Sequence, residues 1–598
     1  MRWRTRALLV AGAGILAAAL PALGQDRAPE SLLPPGFGDP QTLPPPEQKA
    51  PPPQNRPQLP TVPTLVGNEA DNQMSGNMMG DVEEVALDQS ALPRPSNYFS
   101  IPEGSARPTD FVGPLQPGNF GLGEYAFGRS NGPLYAALMN RLDAPLPSRW
   151  TSILLRRALL SRLAAPAGVQ PVDWVAERAA LLLRMGEADA ARMLVEAVDV
   201  EQYTPRMVEV AAQTALATAD PAALCPLVAP ARGWSSDPVW ILADGMCAAL
   251  EGEAARATAL IDQARGQAGT SIDLLLAEKV VGAGAETRRA VDIQWDGVAE
   301  INAWRFGLAS AVGLDIPPRL MNGARPEIRA WLARAPMVPL EQRLAAASTA
   351  AALGVFSSHS LVELYSLVLD ETDPAEIAGS AAARLRTAWV GRDVGERMGA
   401  IRELWREGGE APEARYARSI LTAGAAARIA PAADLAGDAE GLIAAMLSAG
   451  MDREAARWAP IVEQTGEGSR AWALLAVGAP RAIVSDRLDA FVAADDSAGR
   501  LRSQLLAAAL AGLGRINADQ AARAGLRLGD DDRWTAAMDE AARARAPGAI
   551  ALLAGVGMQT EGWRGVPPAY LFRIVRALRV VGLDHEARMI AAEAVARL

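Results

Sequence analysis

One short spacing recurs along this chain: a glycine is followed five residues later by an alanine. Each glycine falls where one apolar segment ends and the next begins, so it can take the left-handed conformation of a tight turn. Each alanine is small enough for the second segment to lie close against the first. The pairs are Gly186 and Ala191, Gly252 and Ala257, Gly409 and Ala414, Gly450 and Ala455, and Gly582 and Ala587. The spacing predicts helical hairpins.

A second pattern marks where helices begin. A capping side chain stands directly before a proline at four places, which are Thr204-Pro205, Asp220-Pro221, Asp237-Pro238 and Asp373-Pro374. Such a residue accepts hydrogen bonds from the first helical turn, and proline suits the first helical position. Glu376 completes a capping-box pattern with Asp373. The first three starts are 16 and 17 residues apart, which predicts a helix–turn–helix unit of about 33 residues.

At these positions the chain resembles the tetratricopeptide repeat, whose hairpins carry a glycine at the turn and a small residue in the second helix. Trp174 and Trp240 each stand twelve residues before a turn glycine. The family's large aromatic residue, four positions before that glycine, is kept at Trp405 and replaced elsewhere by Leu182, Ala248, Met446 and Leu578. The glycines are 66, 157, 41 and 132 residues apart, so the chain departs from the family's fixed period.

The expected fold is therefore all-α: an α-solenoid of irregular antiparallel helical hairpins over residues 148–598. The resemblance implies that protein or peptide binds on a concave helical-repeat surface, but no ligand-binding residues of the family map onto this sequence. A helical bundle in two or three lobes is the alternative, with breaks between about 317 and 339, at Pro317-Pro318 and from Pro336 to Pro339.

Composition limits the classes of protein. A chain of 598 residues is too long for a single compact core, and aromatic residues make up only 5% of it, so small side chains must fill the helix contacts. Nonspecific nucleic-acid binding needs a basic surface. The formal net charge of −11 argues against that class of partner.

The first residues have the pattern of a secretory signal peptide. Arg2, Arg4 and Arg6 precede an apolar run from Ala7 to Leu20, and small residues before Gln25 predict cleavage after Gly24. Residues 1–24 would then be removed, and the mature protein would be exported, most simply to the periplasm. A retained membrane anchor is the alternative. No later stretch predicts a transmembrane span.

Cys225 and Cys247 are the chain's two cysteines, 22 residues apart. In an oxidising compartment, two cysteines on neighbouring helices can be bridged, so we predict a disulfide. The alternative is that both are small buried apolar side chains.

Residues 25–95 are predicted to be disordered. Thirteen of the 43 prolines lie between residues 29 and 63, and such a segment favours an extended polyproline conformation. The residues after it, to about 95, are acidic and polar. This tether is either a spacer or carries a short partner motif, whose candidate residues are Leu32, Leu33, Pro34, Pro35 and Phe37.

Residues 96–147 are rich in aromatic side chains separated by glycine and proline. Seven of the chain's 16 Phe and Tyr residues lie here, namely Tyr98, Phe99, Phe111, Phe120, Tyr125, Phe127 and Tyr135. We expect an irregular but ordered segment, called the strap below, whose rings pack on the protein's own helices. A patch of rings that faces a partner is the alternative.

The sequence offers few residues for catalysis. Its two histidines, His359 and His585, are expected in a turn and near the start of the last helix. Gly128–Gly132 matches the G-x-S-x-G pattern of serine hydrolases, but no strand precedes Ser130 and Pro133 follows, so a helix-capping loop is expected. The acidic runs 495–496 and 530–532 are expected at helix N-termini, with calcium binding as the alternative. No catalytic, cofactor-binding or metal-binding residue is predicted.

These patterns together favour an exported scaffold or adaptor of the bacterial cell envelope that binds a protein or peptide partner. Two alternatives belong to other classes. One is a glycan-cleaving enzyme on an α-superhelix that uses only carboxylates, which requires two carboxyl groups about 5 to 10 Å apart. The other is a structural envelope protein without a specific ligand.

Overall fold

The computed structural model describes residues 104–285, 291–466, 468–482, 487–529 and 531–598. These residues fall within one compact unit. They form 28 α-helices, five short 3-10 helices and a single two-stranded sheet. The prediction of an all-α fold is confirmed. The signal peptide, the proline-rich tether and the motif from Leu32 to Phe37 lie outside the described residues.

The first nine helices are α1 Gly132–Arg141, α2 Arg149–Leu160, α3 Pro171–Arg184, α4 Ala188–Val195, α5 Pro205–Ala217, α6 Cys225–Arg232, α7 Val239–Leu250, α8 Ala254–Ala268 and α9 Ile272–Gly284. The next nine are α10 Ala303–Ala311, α11 Pro318–Asn322, α12 Pro326–Arg334, α13 Leu340–Leu353, α14 Ser358–Glu371, α15 Ala381–Val390, α16 Val394–Glu407, α17 Pro412–Ala426 and α18 Ala439–Ser448.

The last ten are α19 Asp452–Ala456, α20 Ala459–Val462, α21 Arg470–Gly478, α22 Leu488–Ala494, α23 Leu501–Gly512, α24 Ala518–Arg523, α25 Arg533–Arg543, α26 Pro547–Gly557, α27 Pro568–Val580 and α28 Asp584–Ala596. The 3-10 helices are Val200–Gln202, Pro221–Leu224, Ala433–Asp438, Ala498–Arg500 and Trp563–Gly565. Strands β1 Phe111–Val112 and β2 Leu163–Ala164 pair antiparallel, with Phe111 opposite Ala164.

The five glycines of the recurring spacing each lie between two consecutive helices that contact each other. Their φ angles run from +60° at Gly409 to +85° at Gly186, in the region that glycine enters without strain. Of the five alanines, four are fully buried and Ala414 is half-buried. The turn glycines therefore end one helix, and the small residues lie where the next helix packs.

The predicted helix starts behave differently from one another. The Thr204 hydroxyl caps α5 by accepting the N–H of Met207 at 3.2 Å. After Asp220 the chain first forms a 3-10 helix, and Asp237 accepts the N–H of Val239, where α7 begins.

The predicted start at Asp373 is wrong. The carboxylate of Asp373 accepts the N–H of Ala375, which closes a turn rather than a helix, and the capping box with Glu376 does not form. Gly379 then takes a φ of +82°, which ends any helical path, and α15 starts only after its own cap, Ser380.

Most helices pack against their sequence neighbours, but several contacts join distant parts of the chain. Helix α2 packs against α26 and α28, and it also contacts α13. Helix α28 packs in turn against α18, α21 and α23. In a simple repeat array each unit contacts only the next. The long-range contacts of α2 and α28 depart from that scheme. The all-α fold is confirmed, but the solenoid arrangement therefore is not.

The strap is partly helical. Helix α1 lies inside it, with Pro133 in its first turn, and the strap is irregular again from 142 to 147. Fully buried Arg178 holds β1 to the end of α2, because its guanidinium donates to the carbonyls of Val112, Leu159 and Ser161. Burial lowers the pKa of Arg178 to about 9. The strap is thus fixed to the helical body by backbone carbonyls around Arg178, and by an ion pair between Arg107 and Asp199 with 2.6 Å between Nε and Oδ1.

None of the helices in the described part of the chain combines the length and the apolar character that crossing a membrane requires.

Candidate functional site

Half of the residues of helix α14 are apolar, yet few of its side chains are fully buried. Seven of its 14 residues are apolar, but Leu361 and Leu364 are its only buried residues. Leu367 is exposed, and Val368 and Leu369 are half-buried. His359, Glu363, Ser366 and Asp370 form an exposed polar face, and Leu367 adds an exposed apolar side chain beside it. Uncovered apolar surface that is contiguous marks an interaction site. The surroundings of α14 are therefore the first candidate for binding.

A groove runs from the end of α14 to the start of α16. Helix α15 turns one face inward through Ala382, Leu385 and Ala388, which are buried. Its other face lines the groove through Ala383, Arg386, Thr387 and Val390. These positions follow the spacing of one helical face. The groove has a volume of about 430 Å³, within the range of ligand sites.

The remaining walls of the groove are largely aliphatic. Leu369 comes from the end of α14, and Pro374 and Ile377 come from the loop before α15. Val390 is 68% exposed, although it is a large apolar residue. This loop is the segment that was expected to start a helix at Asp373. The loop forms turns instead of a helix, and Ile377 lies in the wall of the groove.

The arginines around the groove differ in their partners. On α15, Arg384 contacts the carboxylate of Glu407 and the carbonyl of Gly379. Arg386 is exposed at the groove, and its guanidinium has no hydrogen bond, ion pair or ring contact among the described residues. Arg392 lies 3.5 Å from Glu396, whose carboxylate also accepts the Arg392 backbone N–H. The groove thus offers one uncompensated positive charge beside an apolar wall.

The strap presents a second uncovered surface. Phe127 is buried, with its ring edge-on to Trp174 at 5.3 Å between centroids. Phe120, in contrast, is 78% exposed. Its φ is +64°, a conformation that costs a non-glycine residue about 1–2 kcal/mol. Phe127 therefore packs on the protein's own helices, as predicted for the strap. Phe120 faces outward, as in the alternative.

The loop that carries Phe120 is tightly held. The N–H groups of Asn119 and Gly121 both donate to the carbonyl of Gln116 at 3.0 Å. The next residue, Leu122, donates its N–H to the hydroxyl of Ser161 at 2.9 Å. The exposed ring is therefore displayed from a fixed position, and strained residues held in place by their surroundings are characteristic of functional loops.

Further along the strap, Tyr125 and Phe111 form a half-covered aromatic pair with their rings edge-on at 6.1 Å. The guanidinium of Arg129 lies 3.8 Å from the Tyr125 ring centre, and that of Arg162 lies 5.5 Å from the Phe111 ring centre. Cations over ring faces are stabilised by the ring quadrupole. These contacts hold both rings at the surface.

The predicted disulfide is confirmed. Cys225 at the start of α6 is bonded to Cys247 in α7, with the two Cα atoms 5.5 Å apart. Cys247 is buried and Cys225 is half-buried. The bond is close to neither the groove nor the strap in sequence, and it ties two helices that also pack against each other.

Two buried acids have the raised pKa that a carboxylate-only enzyme needs. Burial raises the pKa of Glu187, although Arg156 donates to its Oε1 at 2.5 Å. Burial likewise raises the pKa of Glu327, which accepts a hydrogen bond from Arg325 at 2.5 Å. Each acid lies against an arginine, and neither lines the α14–α16 groove.

The histidines, Ser130 and the described residues of the acidic runs lie in helix first turns, in helix caps or in a loop. His359 lies in the first turn of α14 rather than in a free turn, and His585 lies in the first turn of α28 with its ring edge-on to Trp150. Ser130 belongs to the loop before α1, as expected. Asp532 caps α25, and Asp495 accepts hydrogen bonds from Ser503 near the start of α23. In the described residues no cluster of His, Cys, Asp or Glu has the arrangement of a metal site.

Comparison with protein-family models, with curated proteins and with solved structures finds no match for this chain.

The α14–α16 groove is not predicted by the sequence patterns, although α14 carries a local signal. The segment Leu361–Leu369 has seven apolar residues among nine, and only Glu363 and Ser366 are polar. Such a segment predicts a helix with a wide buried face, and the structure shows that only Leu361 and Leu364 are fully buried.

Proposed function

We propose that this chain is an exported scaffold or adaptor that binds a protein partner of the cell envelope through the α14–α16 groove. The observation that carries the proposal is the exposure of Val390 beside Leu369 and Ile377, in a groove next to a helix with only two buried residues. Covering such a surface is favourable by about 25 cal/mol per Å² of apolar area. A partner would gain that energy on binding.

The strap supports the same class of function. The exposed ring of Phe120 sits on a loop whose backbone is strained and held by hydrogen bonds. Aromatic residues contribute disproportionately to binding energy at protein interfaces. We treat the strap as a second contact surface for a partner.

Export has independent support in the disulfide. Cys225 and Cys247 are bonded, and stable disulfides are typical of proteins that function outside the reducing cytosol. Together with the signal-peptide pattern of residues 1–24, the bond favours an exported protein, and we place it in the periplasm.

Site-specific photocrosslinking in intact cells tests the proposal. A photoreactive phenylalanine is placed at Val390, at Phe120 or, as a control, at Val580, which is exposed at the end of α27. We expect Val390 and Phe120 to give covalent adducts with the same polypeptide, identified by mass spectrometry, and Val580 to give none. Adducts from no position, or equal adducts from all three, would contradict the proposal.

A further inference from the structure

The charge and the apolar wall of the α14–α16 groove together indicate what kind of partner it takes. We propose that the groove binds a peptide segment in which an aliphatic side chain lies close to a carboxylate. The aliphatic side chain would pack on Leu369, Ile377 and Val390, and the carboxylate would pair with Arg386. This inference rests on the proposed binding function and names the chemistry of the partner.

A carboxylate is the group that the exposed guanidinium of Arg386 at the groove would bind. Neighbouring arginines are paired: Arg384 and Arg418 both contact Glu407. Arg386 has no such partner in the described part of the chain. Complementary charge at an interface is supplied by the partner, and a guanidinium binds a carboxylate through a planar pair of donors.

The size and the lining of the groove favour a peptide as the partner. A volume of about 430 Å³ accommodates a few side chains rather than a whole domain. Phosphate groups would also pair with Arg386, but a nucleic acid needs many cations along its backbone. Here Glu396 stands at the same groove, beside Arg392, and would repel a polyanion. Isolated carboxylates next to aliphatic side chains fit both features.

Selection from a displayed library of random twelve-residue peptides on the full-length protein tests this inference. We expect selected peptides to share an aliphatic residue within four positions of Asp or Glu. A synthetic selected peptide should bind the Arg386→Glu variant at least roughly tenfold more weakly, because a hydrogen-bonded charge pair is lost. The same peptide with its acids replaced by amides should lose a similar factor on the unaltered protein. The matched control is Arg576→Glu, an exposed arginine of α27 whose side chain also has no partner among the described residues.

The Val390→Ser variant tests the proposed binding site separately from the requirement for an acid in the peptide. Val580→Ser is its control. Circular dichroism and the denaturant midpoint establish that each variant is folded. Peptides that need Val390 but bind Arg386→Glu normally would overturn the inference about acids and leave the proposed binding site in place. If no peptide is enriched, or if binding ignores both Val390 and Arg386, the inference and the proposed site both fail.

Discussion

The carboxylate of Glu593, in the last helix, accepts the backbone N–H of Arg149, at the start of α2, with 2.9 Å between Oε1 and N. The two residues are 444 positions apart. The other oxygen, Oε2, accepts the hydroxyl of Ser148 at 2.7 Å and the N–H of Trp150 at 3.1 Å. An acid thus caps the first turn of α2, where it also meets the positive end of the helix dipole.

The side chain of Arg149 extends this junction. Its guanidinium is fully buried and donates to the carbonyls of Ala351, Phe356 and Ser448, which lie on other parts of the chain. Burial lowers the pKa of Arg149, and the nearby charge of Glu593 acts in the opposite direction. The start of α2 is therefore the point at which segments around 150, 350, 450 and 590 are joined.

Replacing Glu593 should destabilise the whole unit. Glu593→Ala removes the acceptor of three donors at the start of α2 and leaves Arg597 without its ion-pair partner. We expect a loss of about 3–5 kcal/mol in the free energy of unfolding, the usual cost of breaking a buried charged contact. Urea denaturation followed by circular dichroism measures it. Glu561→Ala, at an exposed position, should change the free energy by less than about 0.5 kcal/mol. Equal effects of the two substitutions would show that the junction is unimportant.

The recurring glycines allow a comparison between backbone strain and packing. Gly186 and Gly252 have nearly equal φ angles, +85° and +82°. A Cβ at Gly252 would meet no atom within 4 Å, whereas one at Gly186 would lie 2.9 Å from the Cβ of Ala330. Gly252→Ala should cost about 1–2 kcal/mol through strain alone. Gly186→Ala should cost about 1–3 kcal/mol more because it overpacks the contact with α12. Denaturant midpoints that agree for both variants would refute the difference.

These two glycines show which features can be predicted from the sequence and which cannot. Their spacing to the following alanine is local, and it predicts the turns between α3 and α4 and between α7 and α8. The contact of Gly186 with Ala330 involves residues far apart in sequence, and no local pattern contains it. The same holds for Arg149 and Glu593. At Asp373 the local signal itself failed, because Gly379 and Ser380 provide a stronger stop and start a few residues later. The loop that replaces the predicted helix supplies Pro374 and Ile377 to the groove.

Removing the disulfide should destabilise the protein without unfolding it. The bond closes a segment of 22 residues, for which loop entropy predicts about 3 kcal/mol. The paired variant Cys225→Ala/Cys247→Ala should therefore unfold at lower urea concentration. Dithiothreitol should shift the midpoint of the unaltered protein in the same direction and leave that of the variant unchanged. A midpoint of the unaltered protein that is insensitive to the reductant, with reduction verified by alkylation and mass measurement, would count against the expectation.

We expect Phe120 to lower the free energy of unfolding slightly and to strengthen partner binding. Phe120→Gly relieves the strain of φ at +64°, which is worth about 1–2 kcal/mol, against an entropic cost of about 0.5–1 kcal/mol for glycine. We expect unchanged or higher stability, by up to about 1.5 kcal/mol, together with weaker partner capture. The same substitution at buried Phe127 should cost about 3–5 kcal/mol. A clear loss of stability in Phe120→Gly would mean that the ring serves the fold instead.

The pH dependence of stability should separate Glu187 from Asp495, because their pKa values are shifted in opposite directions. Burial raises the pKa of Glu187 above 4.5 in the folded protein. Its contribution to stability is then fully present below pH 4.5 and is lost as the pH rises through the folded value. The stability of the unaltered protein relative to Glu187→Gln should accordingly increase as the pH is lowered from 7 toward 4.

For Asp495 burial alone would raise the pKa, but hydrogen bonds from Ser497 and Ser503 outweigh burial and hold the pKa below 3.8. Its contribution is present above pH 3.8 and is lost as the pH falls through the folded value, so the advantage over Asp495→Asn should shrink in acid. Each comparison is made by urea titration at matched pH, so that other titrating groups cancel. Parallel trends for the two variants would contradict the assignment, because burial of Glu187 and hydrogen bonding of Asp495 act on opposite protonation states.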